Sequence, residues 1–275
     1  MSSARTTIFE TMDIPENIDN LRKFHNWIKS SLIKTACEFL KAENLLDIGV
    51  GRGGDIQKWH KSNLKYVMGI DSDEKSITET ILFDGARKRY NNLKQKMKLP
   101  RCLFENISVI NPKSLDILNE KDNYFIYDLV SCQFSFHYFV KDIDIVLNLI
   151  SSKLKQGGLF IGTASDGDLI KLNLELGDIK LPLLEITKKS DDEYRYLLKS
   201  NQTQMQTKTY FEVKGVSNEY FLHKEHFISK CKEYNLELVN TFNFHEWNIV
   251  YKGTKLSKHE EMVSFLNFSF TFRKM

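Results

Sequence analysis

The run Asp47-Ile48-Gly49-Val50-Gly51-Arg52-Gly53-Gly54-Asp55 follows the apolar Asn44-Leu45-Leu46 and is the most chemically informative stretch of the chain. Glycines carry no Cβ, so this stretch can turn sharply and bring backbone close to a ligand. Asp71 closes the run Lys65-Tyr66-Val67-Met68-Gly69-Ile70. It stands about 20 residues beyond the turn, the spacing at which an acid at the next strand end grips ribose hydroxyls. Together these residues fit a nucleoside-bearing ligand at the carboxyl edge of a parallel sheet. Gly49, Gly51 and Gly54 spell G-x-G-x-x-G, a pattern also found where a diphosphate rests on the free amides of a helix start. Asp47, however, stands two residues before the first glycine, and Arg52 and Asp55 follow. A carboxylate at that strand end is poorly placed beside a diphosphate and well placed beside an ammonium or sulfonium.

S-adenosylmethionine carries both of those cations and no phosphate, and is the cofactor these residues point to. A nicotinamide dinucleotide is the alternative, and a turn of purely structural use is the bland reading. A second cluster, Ser131-Cys132-Gln133-Phe134-Ser135-Phe136-His137-Tyr138, follows another apolar run, at the sheet edge where doubly wound folds bind ligands. Polar groups there need partners, which singles out Gln133, His137 and Tyr138. Phe134 and its neighbours offer a wall for a flat base, whereas Phe136 reads as core.

The elements that must position these groups follow from periodicity. Leu21, Phe24, Ile28, Leu32, Cys37 and Leu40 recur at helical spacing from about Ile18 to Lys41, after Pro15. Strand one is expected over Asn44 to Ile48, a helix over Gly54 to Lys61, strand two up to Ile70 and a Lys/Arg-rich helix over Glu74 to Lys98. Cys102-Leu103-Phe104 reads as strand three, Phe125 to Cys132 as strand four, Asp142 to Leu154 as a helix and Leu159 to Gly162 as strand five. This alternation implies a parallel sheet with right-handed crossovers. The texture then changes. Residues 181–213, with β-prone Tyr194-Arg195-Tyr196-Leu197 and Thr207 to Val213 around a polar Ser200 to Gln206, suggest an antiparallel lid over the sheet edge. A helix over Lys224 to Tyr234, a strand over Leu236 to Thr241 and an alternating strand over Phe268 to Phe272 complete one expected domain, residues 1–275. Residues 1–13 read as a flexible arm and 14–42 as its N-terminal helix.

Bulk properties narrow the class. Hydrophobic content of 41% with 27% charged residues is ordinary for a globular protein, and a net charge of +3 permits a polyanionic partner without requiring one. Cys37, Cys102, Cys132 and Cys231 lie far apart with no C-x-x-C pair, so neither a zinc site nor a disulfide framework is expected. No apolar run reaches membrane-spanning length. An intracellular, reducing compartment is the expectation, with no membrane partner and no metal.

Four segments carry a resemblance. They are Phe24-His25-Asn26-Trp27-Ile28-Lys29-Ser30-Ser31-Leu32-Ile33, the glycine turn with Lys58-Trp59, Ser131 to Tyr138, and Gly157-Gly158-Leu159-Phe160-Ile161-Gly162-Thr163. In this order, over most of the chain, they resemble the mRNA cap guanine-N7 methyltransferases, most closely the methyltransferase domain of capping enzymes from large DNA viruses. The resemblance implies an α/β fold of the class I S-adenosylmethionine-dependent methyltransferase type, Rossmann-like, with a mostly parallel seven-stranded sheet and an antiparallel lid insertion. It implies that Lys29, Asp47, Gly49, Gly51, Asp71, Asn106 and Gln133 hold S-adenosylmethionine, the product being S-adenosylhomocysteine. For the capped RNA 5' end it implies Arg52, Lys58, Arg89, Phe134, His137, Tyr138, Glu219 and Phe268. His137, Tyr138 and Glu219 would position the guanine, with no general base.

By residue type alone Lys29 is one more solvated lysine, Arg89 belongs to a solvated Arg87-Lys88-Arg89 face, and Glu219 is ambiguous. Arg52 is hard to explain structurally inside a glycine turn. The chain also departs from the family: Ser165 stands where a proline is frequent, and Asn267 where a tyrosine commonly meets the guanine, leaving Phe265 or Phe268 as substitutes. Residues 81–85 look like a short insertion before Arg89. No K-x-D-G nucleotidyl-transfer motif occurs, so triphosphatase and guanylyltransferase steps would belong to other domains of a longer polypeptide or to other proteins. The location implied is cytoplasmic for a viral enzyme and nuclear otherwise. Methylation of another RNA base or a small molecule, and nicotinamide-dependent oxidoreduction, are the rival functions.

Overall fold

Leu21, Phe24, Ile28, Leu32 and Cys37 all lie on the buried face of α1 (Asp19–Leu40), which ends where Lys41 turns left-handed at φ 51°. A computed structural model describes residues 18–79, 81, 84–123, 125–181, 184–198 and 216–275. The expected arm (1–13), Pro15, the polar Ser200 to Gln206 and the strand Thr207 to Val213 lie outside those residues. After α1 the chain alternates through β1 (Asn44–Ile48), α2 (Ile56–Lys61), β2 (Tyr66–Asp71), α3 (Glu74–Thr78), α4 (Ala86–Lys94), β3 (Arg101–Asn106), α5 (Ser114–Asp122), β4 (Tyr127–Gln133), α6 (Ile143–Lys153) and β5 (Leu154–Ser165). Then come α7 (Gly167–Glu175), β6 (Ile179–Lys180), β7 (Leu184–Lys188), β8 (Glu193–Leu198) and β9 (Val216–Tyr220). The chain closes with α8 (Lys224–Glu233), β10 (Leu236–Asn243), α9 (Phe244–Val250), α10 (Lys258–Ser264) and β11 (Asn267–Lys274).

Seven strands form one sheet in the order β10-β11-β5-β4-β1-β2-β3. β1 runs parallel to both β2 and β4, so it is central and buried at every residue, which explains its unbroken apolar reading. β11 runs antiparallel to its neighbours β5 and β10. One sheet face packs Val130, Phe160 and Phe270 against α5, α6 and α8; the other packs Leu45, Val67 and Ile161 against α1, α2 and α9. Burying each such side chain contributes about 1.5–3 kcal/mol. A separate four-stranded antiparallel sheet, β6-β7-β8-β9, meets the carboxyl edge of the large sheet where β9 touches the 3-10 turn Phe136–Tyr138. No helix among the described residues is long and apolar enough to cross a membrane.

Several boundaries differ from expectation. The single helix expected over Glu74 to Lys98 is two, α3 and α4. Gly85 passes so close to α3 that a Cβ there would meet the Ile77 carbonyl oxygen at 2.8 Å, which breaks the helix just before α4. The Phe268–Phe272 alternation does not separate core from solvent, since Ser269 and Thr271 are buried too. It separates two covered faces: the phenylalanines meet the α6–α8 side, and Ser269 accepts a 2.8 Å hydrogen bond from Trp247 Nε1 of α9. Helices α5, α7, α9 and α10 and strand β9 have short or weakly periodic sequences and were not anticipated.

Candidate active site

Past β1 the backbone reverses through three positive-φ glycines, Gly49 (73°), Gly51 (51°) and Gly53 (71°). The Gly49 and Val50 amides both donate to the Ile70 carbonyl, at 2.9 and 3.1 Å, tying the turn to the end of β2. A Cβ on Gly49 would stand 2.3 Å from Ser135 Oγ, so this residue needs glycine for both φ and space. The third demanding position is Gly53 rather than Gly54: a Cβ would meet Ile56 Cδ1 at 2.6 Å on Gly53, and open space on Gly54. At the end of β2 the Asp71 carboxylate accepts the Gly51 amide (2.8 Å) and the Asp73 amide (2.9 Å), which holds it at the turn. Burial raises its pKa while those amides oppose the rise. Its remaining lone pairs suit two vicinal hydroxyls.

Beneath the turn lies a charge cluster. The Asp55 carboxylate is gripped by Lys29 Nζ (2.8 Å) and Lys58 Nζ (2.6 Å), all three buried, and Lys58 also donates to Asn26 Oδ1 at 2.7 Å. Burial alone would raise the Asp55 carboxyl, but the two ammonium groups hold it well below the usual carboxylate range. Asp47 is the contrast. Burial, then the charge of Asp55, raises its pKa, a Ser131 hydrogen bond opposes the rise, and its Oδ1 has no hydrogen-bond partner among the described residues. A buried carboxylate oxygen left this way is a ready acceptor for a cationic donor. Ser131 Oγ in turn accepts from Gln133 Nε2 (3.2 Å), and Thr163 Oγ1 donates to Gln133 Oε1 (3.1 Å) while accepting the Phe134 amide (3.1 Å). That network fixes Gln133 and lets Phe134 hold φ 54°, its ring stacked on His25 at 5.2 Å. Burial, then Lys29, lowers the His25 pKa to about 3, so this imidazole is neutral.

Across the cleft stands Glu219 of β9, buried. Its Oε1 accepts from Ser217 (2.8 Å) and Tyr138 (3.4 Å), its Oε2 from Tyr194 (2.8 Å) and Ser165 (3.2 Å). His137 Nε2 lies 3.6 Å from the same carboxylate. The Ser165 amide donates to His137 Nδ1, which assigns the ring proton to Nε2, facing Glu219. Burial lowers the His137 pKa against the pull of Glu219, so His137 is a neutral donor. A carboxylate so placed accepts adjacent N–H groups of a planar ligand, the long Tyr138 and Ser165 bonds being the ones to yield. Both halves open into one cavity of about 750 Å³.

Residues 5–267 match the mRNA (guanine-N(7))-methyltransferase domain family. The chain belongs to that family. It is 33% identical over 178 residues to a probable mRNA-capping enzyme of Acanthamoeba polyphaga mimivirus, covering 58% of this chain and 15% of that protein. Over 240 residues it is 30% identical to the mRNA cap guanine-N(7) methyltransferase of Caenorhabditis briggsae, covering 82% of this chain and 60% of that one. The chain thus spans less than two thirds of either relative. It superposes on an S-adenosylmethionine-dependent methyltransferase from Clostridium acetobutylicum ATCC 824 with a TM-score of 0.53 at 16% identity, covering 96% of this chain and 92% of that one. The fold is the expected S-adenosylmethionine-dependent methyltransferase fold.

Of the residues expected at a cap methyltransferase site, Lys29, Gly49, Gly51, Arg52, Asp71, Arg89, Gln133, Phe134, His137, Tyr138 and Glu219 line this cavity. Asp47 sits just beneath it, 3% exposed. Three expectations need correction. Lys58 is not an RNA-facing lysine: it is buried, because Asp55, one helical turn away, neutralises it. Phe268 shares the inward face of β11 with Phe270 and is 1% exposed, so its ring belongs to the core. Asn106 turns its amide to the Asp71 carbonyl (3.0 Å), and the cavity wall is built instead by Ile107, Ser108, Val109 and Ile110. Asp55, His25, Ser165, Tyr194, Tyr196 and Ser217 were not anticipated. Ser217 stands two residues from Glu219, but that spacing becomes a signal only once β9 is known to be a strand.

Proposed function

We propose that the chain transfers the methyl group of S-adenosylmethionine to N7 of the guanine in a GpppN cap at the 5' end of mRNA. One observation carries the reading: a buried carboxylate cradled by hydroxyls, Glu219, opens into the same cavity as the glycine turn and Asp71. The donor set fits the cofactor, since the unpartnered Asp47 oxygen suits its ammonium and Asp71 suits its ribose hydroxyls. When bound, S-adenosylmethionine supplies a methyl group already activated on a sulfonium. Guanine N7 already has a free lone pair, so the residues have positioning to do and no proton to remove. Holding two reactants in line is worth about 7–11 kcal/mol of barrier.

In this reading Glu219 accepts the guanine N1–H and exocyclic amine and balances the positive charge that develops on the ring. The neutral His137 and the Tyr194 and Ser217 hydroxyls hold Glu219 in place. Arg52 and Arg89, on the cofactor side of the cavity, take the triphosphate through charge-assisted bonds. Residues 1–275 act as one methyltransferase unit whose small sheet belongs to the acceptor site. Triphosphatase and guanylyltransferase activities come from other domains or proteins. The chain works where transcripts are capped, in the cytoplasm for a viral system and otherwise in the nucleus.

The test supplies methyl-labelled S-adenosylmethionine with GpppA-capped RNA and with the same RNA already methylated at N7. Label on the unmethylated cap alone is expected. Equal labelling of both RNAs would move the acceptor to a ribose or an internal base and end the guanine reading.

A further inference from the structure

The cavity holds an edge acceptor for a base, and the face of that base calls for a ring beside it. By the resemblance, Asn267 stands where the family commonly has a tyrosine. It lines the cavity, yet its amide donates to the Val263 and Ser264 carbonyls at 3.2 and 3.0 Å, closing the end of α10. The neighbouring rings do not replace it. Phe268 is core, and Phe265 meets His245 edge-on at 5.3 Å, off the cavity wall. Phe134 has one face against His25, and the Tyr138 ring packs on His137 at 4.4 Å.

Tyr196 remains. On β8 it lies opposite Ser217 of β9, two pairs along from Tyr194 opposite Glu219, so all four share the sheet face that meets the cavity. Its ring is half-buried on the cavity wall, and its phenol gives no hydrogen bond to another described residue. The Tyr194 phenol, by contrast, is committed to Glu219 at 2.8 Å. A base whose edge sits on Glu219 projects into the cavity alongside the next cross-strand position, which Tyr196 occupies.

We propose that Tyr196, from β8, supplies the stacking face for the acceptor guanine. Edge and face of the base are then both recognised by adjacent strands of one small sheet, and the pairing register of β8 with β9 sets their spacing. This rests on the guanine reading above.

The test measures affinity of the full chain for the GpppA dinucleotide and, separately, for S-adenosylhomocysteine. Tyr196→Leu, which keeps apolar bulk beside Ile186 but removes the π-face, is expected to weaken GpppA binding about five- to 150-fold, the range of a lost base–aromatic stack. Tyr196→Phe, which keeps the ring, should retain most of that affinity, and S-adenosylhomocysteine binding should hold in both variants. Wild-type GpppA affinity in Tyr196→Leu overturns the proposal. So do parallel losses for both ligands, which would mark a structural role. A wild-type chain that binds S-adenosylhomocysteine and no GpppA is a different result: it refutes the guanine acceptor itself, and this contact with it.

Discussion

Replacing Glu219 by Gln alters charge and acceptor count at nearly constant volume, so it isolates what the carboxylate does from how it packs. The native group accepts four hydroxyls, two of them at 2.8 Å. A Gln amide keeps one acceptor oxygen and presents two N–H donors. The surrounding hydroxyls rotate to accept from the new amide, so the folding cost is the difference between charge-assisted and neutral bonds. For the two short contacts that is about 1–3 kcal/mol, partly offset because a buried charge is removed. In a chain of this size the thermal midpoint should fall by roughly 2–8 °C.

The effect on the guanine is larger. Its N1–H and exocyclic amine would face one acceptor and one donor. Losing a charge-assisted bond (about 1.5–3 kcal/mol) and leaving a buried donor unmet (about 1–3 kcal/mol) together come to about 3–5 kcal/mol. At about 1.4 kcal/mol per decade, kcat/KM on capped RNA should drop roughly 100- to 4,000-fold. The assay is steady-state methyl transfer to GpppA-RNA, with S-adenosylhomocysteine affinity measured by calorimetry, where a change under about twofold is expected. A variant within about fivefold of wild type on capped RNA would refute the acceptor role. So would equal losses in cap kinetics and S-adenosylhomocysteine binding.

Asp47 predicts a pH dependence. Burial beside Asp55 raises its pKa, so the free folded chain keeps a proton that the unfolded chain has already released; stability contributed by this group falls as pH rises above the ordinary carboxylate range. An ammonium ligand favours the ionised form, so S-adenosylhomocysteine affinity should strengthen over that same rise with proton release, seen by calorimetry in buffers of different ionisation enthalpy. Asp47→Asn should flatten the stability slope to what Asp71 contributes and remove the proton release on binding, and a pH-independent affinity in the native chain would remove Asp47 from the ammonium site. Lys58→Met should cost about 2–4 kcal/mol in denaturant unfolding by stripping one partner from buried Asp55, while KM for capped RNA holds. Unchanged stability with a raised cap KM would return Lys58 to the RNA surface. Gly49→Ala must place a Cβ 2.3 Å from Ser135 Oγ at φ 73°, a conformation that alone costs about 1–2 kcal/mol. Loss of S-adenosylhomocysteine binding with a native circular dichroism spectrum is expected, and native affinity would show that the turn does not contact the cofactor.

What could be read along the chain was local. The β1–turn–α2 unit, the Asp71 strand end and the alternating strands and helices up to β5 were legible because each is written in contiguous residues as a period, a glycine cluster or a cap. The split between α3 and α4 was not, because one glycine in a helical pattern does not announce how closely Gly85 approaches the Ile77 carbonyl. Nor was β9, whose Val216-Ser217-Asn218-Glu219-Tyr220 has too little alternation to announce a strand and is held there by pairing with β8.

By itself the sequence pointed to a nucleoside-bearing cofactor at the carboxyl edge of a parallel sheet, since Asp47, the glycines and Asp71 need only adjacent strands to meet. Tertiary structure alone decided which polar side chains belong to that site. Lys29 and Asp55 are 26 residues apart and Tyr138 and Glu219 are 81 apart, and both pairs form only when the fold is complete. A lysine or a carboxylate written in a sequence is equally compatible with solvent. Whether it is surface, clamp or ligand depends on burial, which obliges every charge to find a partner and so fixes its role by what the rest of the chain brings within reach.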